Sequence, residues 1–510
     1  MSGKLDTIIA GASVFDGESF LPRDTVVGLD GDRIVHVGPV PQGLGHGLRQ
    51  IDGNGLVLSP AFIDTHNHGD YHSVDQHNDG VSALAQGVGT LIVGNCGYSA
   101  TPTGTVHTVL MPEAGARNVP HAEHVDRLNH GLVLGVGDLL GHNTLRRHVM
   151  GAARPPNAGE IDRMCGLLDE FLAAGGMGLS VGLNYPEAIG YGEAEMVALC
   201  RVLARWGRPL TCHIADQGAG ILDSVGDVIG WGDKAGCPVL VSHMRPISDR
   251  YDHLLDKLFE TFEARGNARF DLYPYAAGFT TLAWLFSYLF ERLPAAGDRL
   301  PGGELEEAAF GVCIGGLDDV RVLASAFPDA AGRTIGEITR GLGRAAGEVA
   351  QDIYIHDPAT VCLYERESRP ETIDKIISHP LCLIGSDGYL FGHTHTEACH
   401  PRCYGAFAGF IERYARTGMV AQTDALRRMT SEPAKFFSMT DRGRIAPGLR
   451  ADLALLDWDN IGESAMEERG TRIARGTAMT IIGGQVAFQG GTSATGVRAG
   501  VRAVPSSGAR

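Results

Sequence analysis

Residues 90–96 read TLIVGNC: an apolar run, then a glycine, an asparagine and a single cysteine. A short continuous apolar run closed by turn residues suits a strand buried on both faces. The same form recurs as VLSPAFIDTH at 57–66, LVLGVGDLLGH at 132–142, MGLSVGLNY at 177–185, PLTCHIA at 209–215, PVLVSHM at 238–244, ARFDLYPY at 268–275 and LCLIGSD at 381–387. A loop and a helical pattern follow each run, as in AEMVALCRVLARW at 194–206. Repeated strand–helix units of this kind predict an α/β fold built on a (β/α)8, TIM-like barrel.

Either side of the barrel the pattern changes. Residues 5–58 alternate in short segments such as TIIAGASVF and RIVHVG, and the style returns in RIAPGLRADLALLDW and AMTIIGGQVAFQ. Short alternating runs between Gly and Asp turns read as small β-structure. The two chain ends are therefore expected to share one β-sandwich: residues 1–58 as its N-terminal part, 59–440 as the catalytic barrel, 441–490 as its C-terminal part. Residues 284–346 lack a strand signal and are expected to form an inserted helical subdomain. The small, polar stretch 491–510 reads as a mobile tail.

The composition narrows the possible partners. In 510 residues, 44% are hydrophobic and 20% charged, enough for a large core, and the net charge of −17 disfavours nucleic acid and anionic membrane surfaces. No apolar window is long enough to span a bilayer, and MSGKLDTIIAGASVF does not read as a signal peptide. The ten cysteines show no disulfide framework, so reduced thiols in a cytoplasmic protein are expected. A small-molecule substrate remains, and a homo-oligomer is compatible with the sequence.

Active sites of such barrels gather at the C-terminal ends of the strands. There the runs close with His66 and His68, with Cys96, with His213, with His243 and with Asp387. Period two along a strand aims His66 and His68 at the same side. Taken singly, a strand-end histidine is commonly a hydrogen-bonded structural residue and a buried cysteine commonly packs. Together, imidazole, thiolate and carboxylate at the ends of separate strands form the donor set of a divalent metal such as zinc. His142, His400, Cys399 and Cys403 are left without a ligand role.

These residues resemble the amidohydrolase superfamily, and more narrowly the D-aminoacylase family of N-acyl-D-amino-acid deacylases. The similarity is carried by AFIDTHNHGD, VGNCGYS, GHNTLRRHVMG, GLSVGLNYP, DLYPYAAG, IGSDG, HPRCYGAF and MTSEPAKFFSMTDRGRIAPGLRADLALLD. Many amidohydrolases bridge two metals with a strand-four lysine, yet none of the five lysines here closes a run. Cys96 is the substitute that the resemblance implies: Cys96, His213 and His243 would hold one tight Zn2+, and His66, His68 and Asp387 would surround a second position, weakly filled or empty. Asp387 would be the general base and then acid of a linear-amide hydrolysis. A cyclic-amide hydrolase of the hydantoinase or dihydroorotase type, and a metal-free scaffold, are the competing readings.

The resemblance also implies substrate contacts at Arg245, Tyr273 and Arg402, with Tyr191 a further candidate. Here the chain departs from the family pattern. Arg245 stands where a lysine is common, Phe279 where a serine is usual, and Ala215 where an arginine is usual. The pocket is thus expected to differ from the family's in the amino acid it takes, and even in its need for a carboxylate.

Overall fold

All eight apolar runs become strands of one parallel sheet, arranged in chain order. They are β1 Phe62–Asp64, β2 Val88–Val93, β3 Gly135–Gly141, β4 Gly178–Gly182, β5 Leu210–His213, β6 Val239–Val241, β7 Ala268–Leu272 and β8 Cys382–Ile384. The computed structural model describes residues 5–41, 48–102, 121–285, 302–395, 398–464, 472–493 and 496–506. Inside the sheet, Ile63, Ile92, Leu139, Leu240 and Leu383 stack into one buried cluster, so the barrel centre is packed rather than open.

The barrel closes where the predicted site lies. Past the ends of β1 and β8, Asp387 N–H donates to the His66 carbonyl and His68 N–H to the Gly388 carbonyl, each at 2.8 Å. Asp64 ties the same two ends together by side chain: one oxygen accepts the Ser386 N–H at 2.8 Å, the other the Ser386 hydroxyl at 2.5 Å. Burial pushes the Asp64 carboxyl up to about 6, even though these hydrogen bonds favour its ionised form.

The chain ends build two further sheets. One holds four strands, ordered Arg33–Gly38, Val26–Asp30, Thr7–Ala10 and Arg49–Asp52. The other runs Ser13–Val14, Val57–Pro60, Leu453–Leu456, Thr477–Ile482, Gln485–Gln489 and Thr492–Ser493, and so draws on both termini. Ile9, Val27, Leu29, Leu58, Leu453 and Ile481 pack between them. Among the described residues no helix is long and apolar enough to cross a membrane.

Two expectations need correction. The insertion is not wholly helical: with helices Gly302–Ala309 and Ile335–Leu342 it holds the strand Val320–Ala324, which pairs antiparallel with Val361–Tyr364, itself paired with Gly278–Thr281, both beyond the expected bounds. The strand within it, VRVLA, is short and only half-buried, so it lacks the continuous apolar signature of the barrel strands. Residues 286–301 of the expected insert lie outside the described residues.

The tail, expected to be mobile, is docked over residues 496–506. Gly500 bridges to Leu132 and Arg502 to Val136, and Ala503 joins the cluster inside the barrel. Arg502 and Asp138, both buried, form an ion pair at 2.9 Å, and the Arg208 guanidinium donates to the Ser506 carbonyl at 2.7 Å. Composition missed this because one buried arginine and one buried alanine anchor an otherwise polar stretch.

Arg502→Met would strand the Asp138 carboxylate in the interior, a defect typically worth about 3–5 kcal/mol. The expected outcome is a clear fall in the urea midpoint, against little change for Val504→Ala, whose side chain is 49% exposed. Equal midpoints for the two variants would return the tail to a passive role.

Candidate functional site

The G-N-C-G turn shows how the sequence places its cysteine. Gly94 and Gly97 adopt φ of 80° and 82°, and a Cβ at either would strike the Leu139 carbonyl or the Asn143 side chain. Between them Cys96 itself is left-handed at φ 53°, as are His243 at 35° and Asp387 at 49°. Non-glycine residues held there typically cost about 1–3 kcal/mol each and persist only where the surrounding structure imposes them. Three of the six predicted metal-site residues are thus locally strained, and the strain turns each side chain inward.

All six donors meet above the barrel. Cys96 Sγ lies 3.4 Å from His66 Nε2 and 3.7 Å from both His213 Nδ1 and His243 Nε2. Asp387 Oδ1 is 3.0 Å from His68 Nε2 and 3.4 Å from His66 Nε2, while its Oδ2 pairs with Arg402 at 2.7 Å. Two donor groups result, His66–His68–Cys96–Asp387 and Cys96–His213–His243, each with its ligand atoms within 4.8 Å of one another. Every member is buried, and Cys96 belongs to both groups.

Neighbouring groups orient these donors, and sequence reasoning missed them. Asp271, one residue before the end of β7, accepts the His243 backbone N–H at 2.7 Å and faces His66 Nδ1 at 3.5 Å. Gln217 approaches His243 Nδ1 at 3.4 Å. A carboxylate or amide behind a histidine fixes its ring and tautomer for metal binding. The available signal for Asp271 was a charged residue within an otherwise apolar run.

The electrostatics suit a cation. Burial raises the Cys96 thiol, but the His66 imidazole and hydrogen bonds to His213 and His243 outweigh it and hold the thiol well below its ordinary range. Burial opposes charge on His66, yet Cys96, Asp271 and Asp387 drive it well above the usual imidazole value. His68, also desolvated, is nevertheless pushed up to about 9, chiefly by its hydrogen bond to Asp387. His213 is lowered by burial and by His243. Asp387 is raised by burial and more than restored by Arg402 and His66, which keep it well below the carboxylate norm. Thiolate and carboxylate are thus neutralised by protons on imidazoles, the place a divalent ion takes when it displaces those protons.

Of the predicted substrate contacts, Arg245, Tyr273, Phe279 and Arg402 line the cavity beside the donors, joined by Tyr185, Gln217, Thr280, Trp284 and Glu367. Tyr191 does not line it: the turn Pro186–Ala188 carries it away to pack edge-on against Trp231 at 6.0 Å. Tyr185, just before that turn, takes the position instead, with its ring 5.1 Å from that of His213. His142 is a structural partner of Glu195 at 2.9 Å. His400 accepts the Arg402 backbone N–H at 2.9 Å and lies 3.1 Å from the Ala277 carbonyl.

A barrel with a buried His/Cys/Asp cluster at its strand ends, flanked by sheets from the chain ends, is the arrangement of the amidohydrolases, and residues 346–488 match the model of the amidohydrolase family. The chain resembles that family in fold and in site. Within the family it is related to the D-aminoacylases: it is 29% identical to D-aminoacylase of Alcaligenes xylosoxydans xylosoxydans, over 96% of this chain and 95% of that one. Its fold superposes on N-acyl-D-glutamate deacylase of Bordetella bronchiseptica, solved with zinc and a phosphonate mimic of the tetrahedral intermediate. The TM-score is 0.83 at 27% identity, covering 98% and 100% of the two chains. A D-aminoacylase with a binuclear metal centre, one metal activating and the second attenuating, matches at TM-score 0.82 and 27% identity, covering 98% and 100%. The chain is accordingly a metal-dependent amidohydrolase related to D-aminoacylases.

Against burial, the hydrogen bond to Asp387 pushes His68 up to about 9, so an ion taken up by the His66–His68–Cys96–Asp387 group would displace its proton. Zinc affinity should therefore fall as pH drops from about 9 towards 6, with proton release measurable by calorimetry in buffers of different ionisation enthalpy. A pH-independent affinity would place the ion away from these imidazoles.

Proposed function

We propose that the protein hydrolyses a linear amide, removing the acyl group from the nitrogen of a D-amino-acid unit and releasing a carboxylate and the amine. The observation that carries this reading is the thiolate of Cys96 shared by both donor groups where a cyclic-amide hydrolase would need a strand-end lysine. Among the described residues every lysine sits on an outer helix: Lys234 in Ile221–Ala235, Lys257 in Leu255–Glu263, Lys375 in Pro370–Ser378 and Lys435 in Ser431–Phe436. Full-length similarity to D-aminoacylases supports the same choice.

In this reading Cys96, His213 and His243 hold the tight Zn2+ and His66, His68 and Asp387 surround a looser position. When bound, the metal supplies Lewis acidity that polarises the scissile carbonyl and acidifies water. Asp387, kept ionised by Arg402, takes the proton of the attacking water and delivers it to the nitrogen as the C–N bond breaks. The water oxygen stays with the acyl carbon, and the amine leaves with the proton. Arg402 positions Asp387, and Asp271 and Gln217 hold the histidine rings against rotation. Tyr185 and Trp284 help to wall the cavity.

The test is turnover of paired N-acyl-D- and N-acyl-L-amino-acid derivatives by zinc-loaded protein, alongside ring opening of a hydantoin. Preferential cleavage of the D series is expected, and equal or faster ring opening would favour the cyclic-amide alternative. Asp387→Asn should keep the tight metal and lower kcat by about 10²–10⁴-fold, because three other donors remain while the proton carrier is lost. Cys96→Ala should lose metal and activity together. Normal zinc content in Cys96→Ala would reduce the cysteine to packing.

A further inference from the structure

Both arginines that reach the cavity are already paired. Arg402 contacts Asp387 and lies between two rings, its guanidinium carbon 4.7 Å from the centre of Tyr273 and 5.6 Å from that of Phe279. Arg245 pairs with Glu367 and donates to the Tyr273 hydroxyl at 2.7 Å and the Tyr275 carbonyl at 3.1 Å.

Glu367 is built into this position. Its N–H donates to the Ala276 carbonyl at 3.1 Å, its carbonyl accepts the Ser248 N–H at 2.8 Å, and the residue is 7% exposed. Ser368 fastens the next residue by donating its hydroxyl to the Pro246 carbonyl at 3.1 Å. The carboxylate presses on Gly278, where any Cβ would collide with it. At 279, where the resembled family usually offers a hydroxyl, this chain offers a phenyl ring.

We infer that Glu367 is a specificity residue that bars a free carboxylate next to the departing nitrogen, so that the substrate carries an uncharged group there, such as a carboxamide or a continuing peptide bond. The proposal rests on the deacylase assignment above and refines it. Arg245 is paired with Glu367 and Arg402 with Asp387, so a further carboxylate would enter a buried site in which neither guanidinium is free to receive it. An uncharged amide brings both kinds of partner: its N–H can donate to Glu367, and its carbonyl can accept from Arg402, whose Nε has no hydrogen-bond partner among the described residues. The side chain of the amine component would lie against Phe279 and Trp284.

The experiment compares N-acetyl-D-leucine with N-acetyl-D-leucinamide, using zinc-loaded wild type, Glu367→Gln and the double variant Arg245→Met/Glu367→Met. Wild type is expected to favour the amide in kcat/KM by about tenfold or more, the discrimination typical of one charge-assisted pair. Glu367→Gln frees Arg245 and should shift the ratio towards the acid by a similar factor. The double variant, which removes both charges, should retain the amide preference. A purely structural role for Glu367 would lower both rates and leave their ratio alone, and that result overturns the inference. Wild type that prefers the acid also overturns it while leaving the deacylase assignment intact. Zinc-loaded wild type that cleaves neither compound removes the assignment and the inference with it.

Discussion

The sulfur of Cys96 is the one atom that both donor groups of the site share, and much of the local structure exists to hold it there. A thiolate in a buried site is stable only against positive charge. Here three imidazoles approach it within 3.7 Å, and they come from three different strand ends. The two glycines beside Cys96, its left-handed backbone and the hydroxyl of Ser180, which donates to the Gly94 carbonyl and accepts from the Gly97 N–H, all serve that placement. The sulfur can reach both groups because β2 lies next to β1, which brings His66 and His68, while the G-N-C-G turn bends inward over β3 and β4 towards His213.

The same economy appears at the barrel seam. The last and first strands of the barrel are the one neighbouring pair without a direct crossover between them, so other contacts must hold them together. Asp64, Ser386 and the backbone bonds of His66, His68 and Asp387 perform the closure. Three of those residues are also metal-site donors, so seam and site stabilise each other. A substitution that loosens the seam therefore also displaces the donors.

How legible each part was in the sequence follows from which physical signal it leaves. Buried parallel strands leave continuous apolar runs, and every one of the eight was readable. Strand-end donors leave residue types that packing does not favour, so His66, His68, Cys96, His213, His243 and Asp387 stood out as a group. Glu367 left no such mark: in YERESR, residues 364–369, Glu365 pairs with the outward Arg321 while Glu367 enters the cavity. The strand ends at Tyr364, so alternation no longer sorts the two glutamates. Tyr191 and Tyr185 were indistinguishable for a similar reason, because the turn that separates their directions depends on tertiary contacts. The docked tail was invisible because Arg502 finds its partner, Asp138, hundreds of residues earlier.

On the proposed function, chemistry and recognition are carried by different parts of the molecule. The donors stand at or just past the ends of barrel strands, whose geometry is fixed by the parallel ladder of the sheet. Part of the cavity wall, with Phe279, Thr280, Trp284 and Glu367, belongs to the insertion and the two strands that flank it, whose core of Leu282, Val320, Val322, Ile335 and Tyr364 is built largely from their own sheet and helices. A wall with a separate core can change shape and charge at little cost to the barrel, whereas any change at the strand ends strains the metal site directly. Yet the separation is incomplete: Cys96 and Tyr185 join the cluster of the insertion rather than that of the barrel. Substrate seated against Phe279 and Trp284 would therefore press on the layer that holds the shared sulfur, coupling what is bound to how the donors stand.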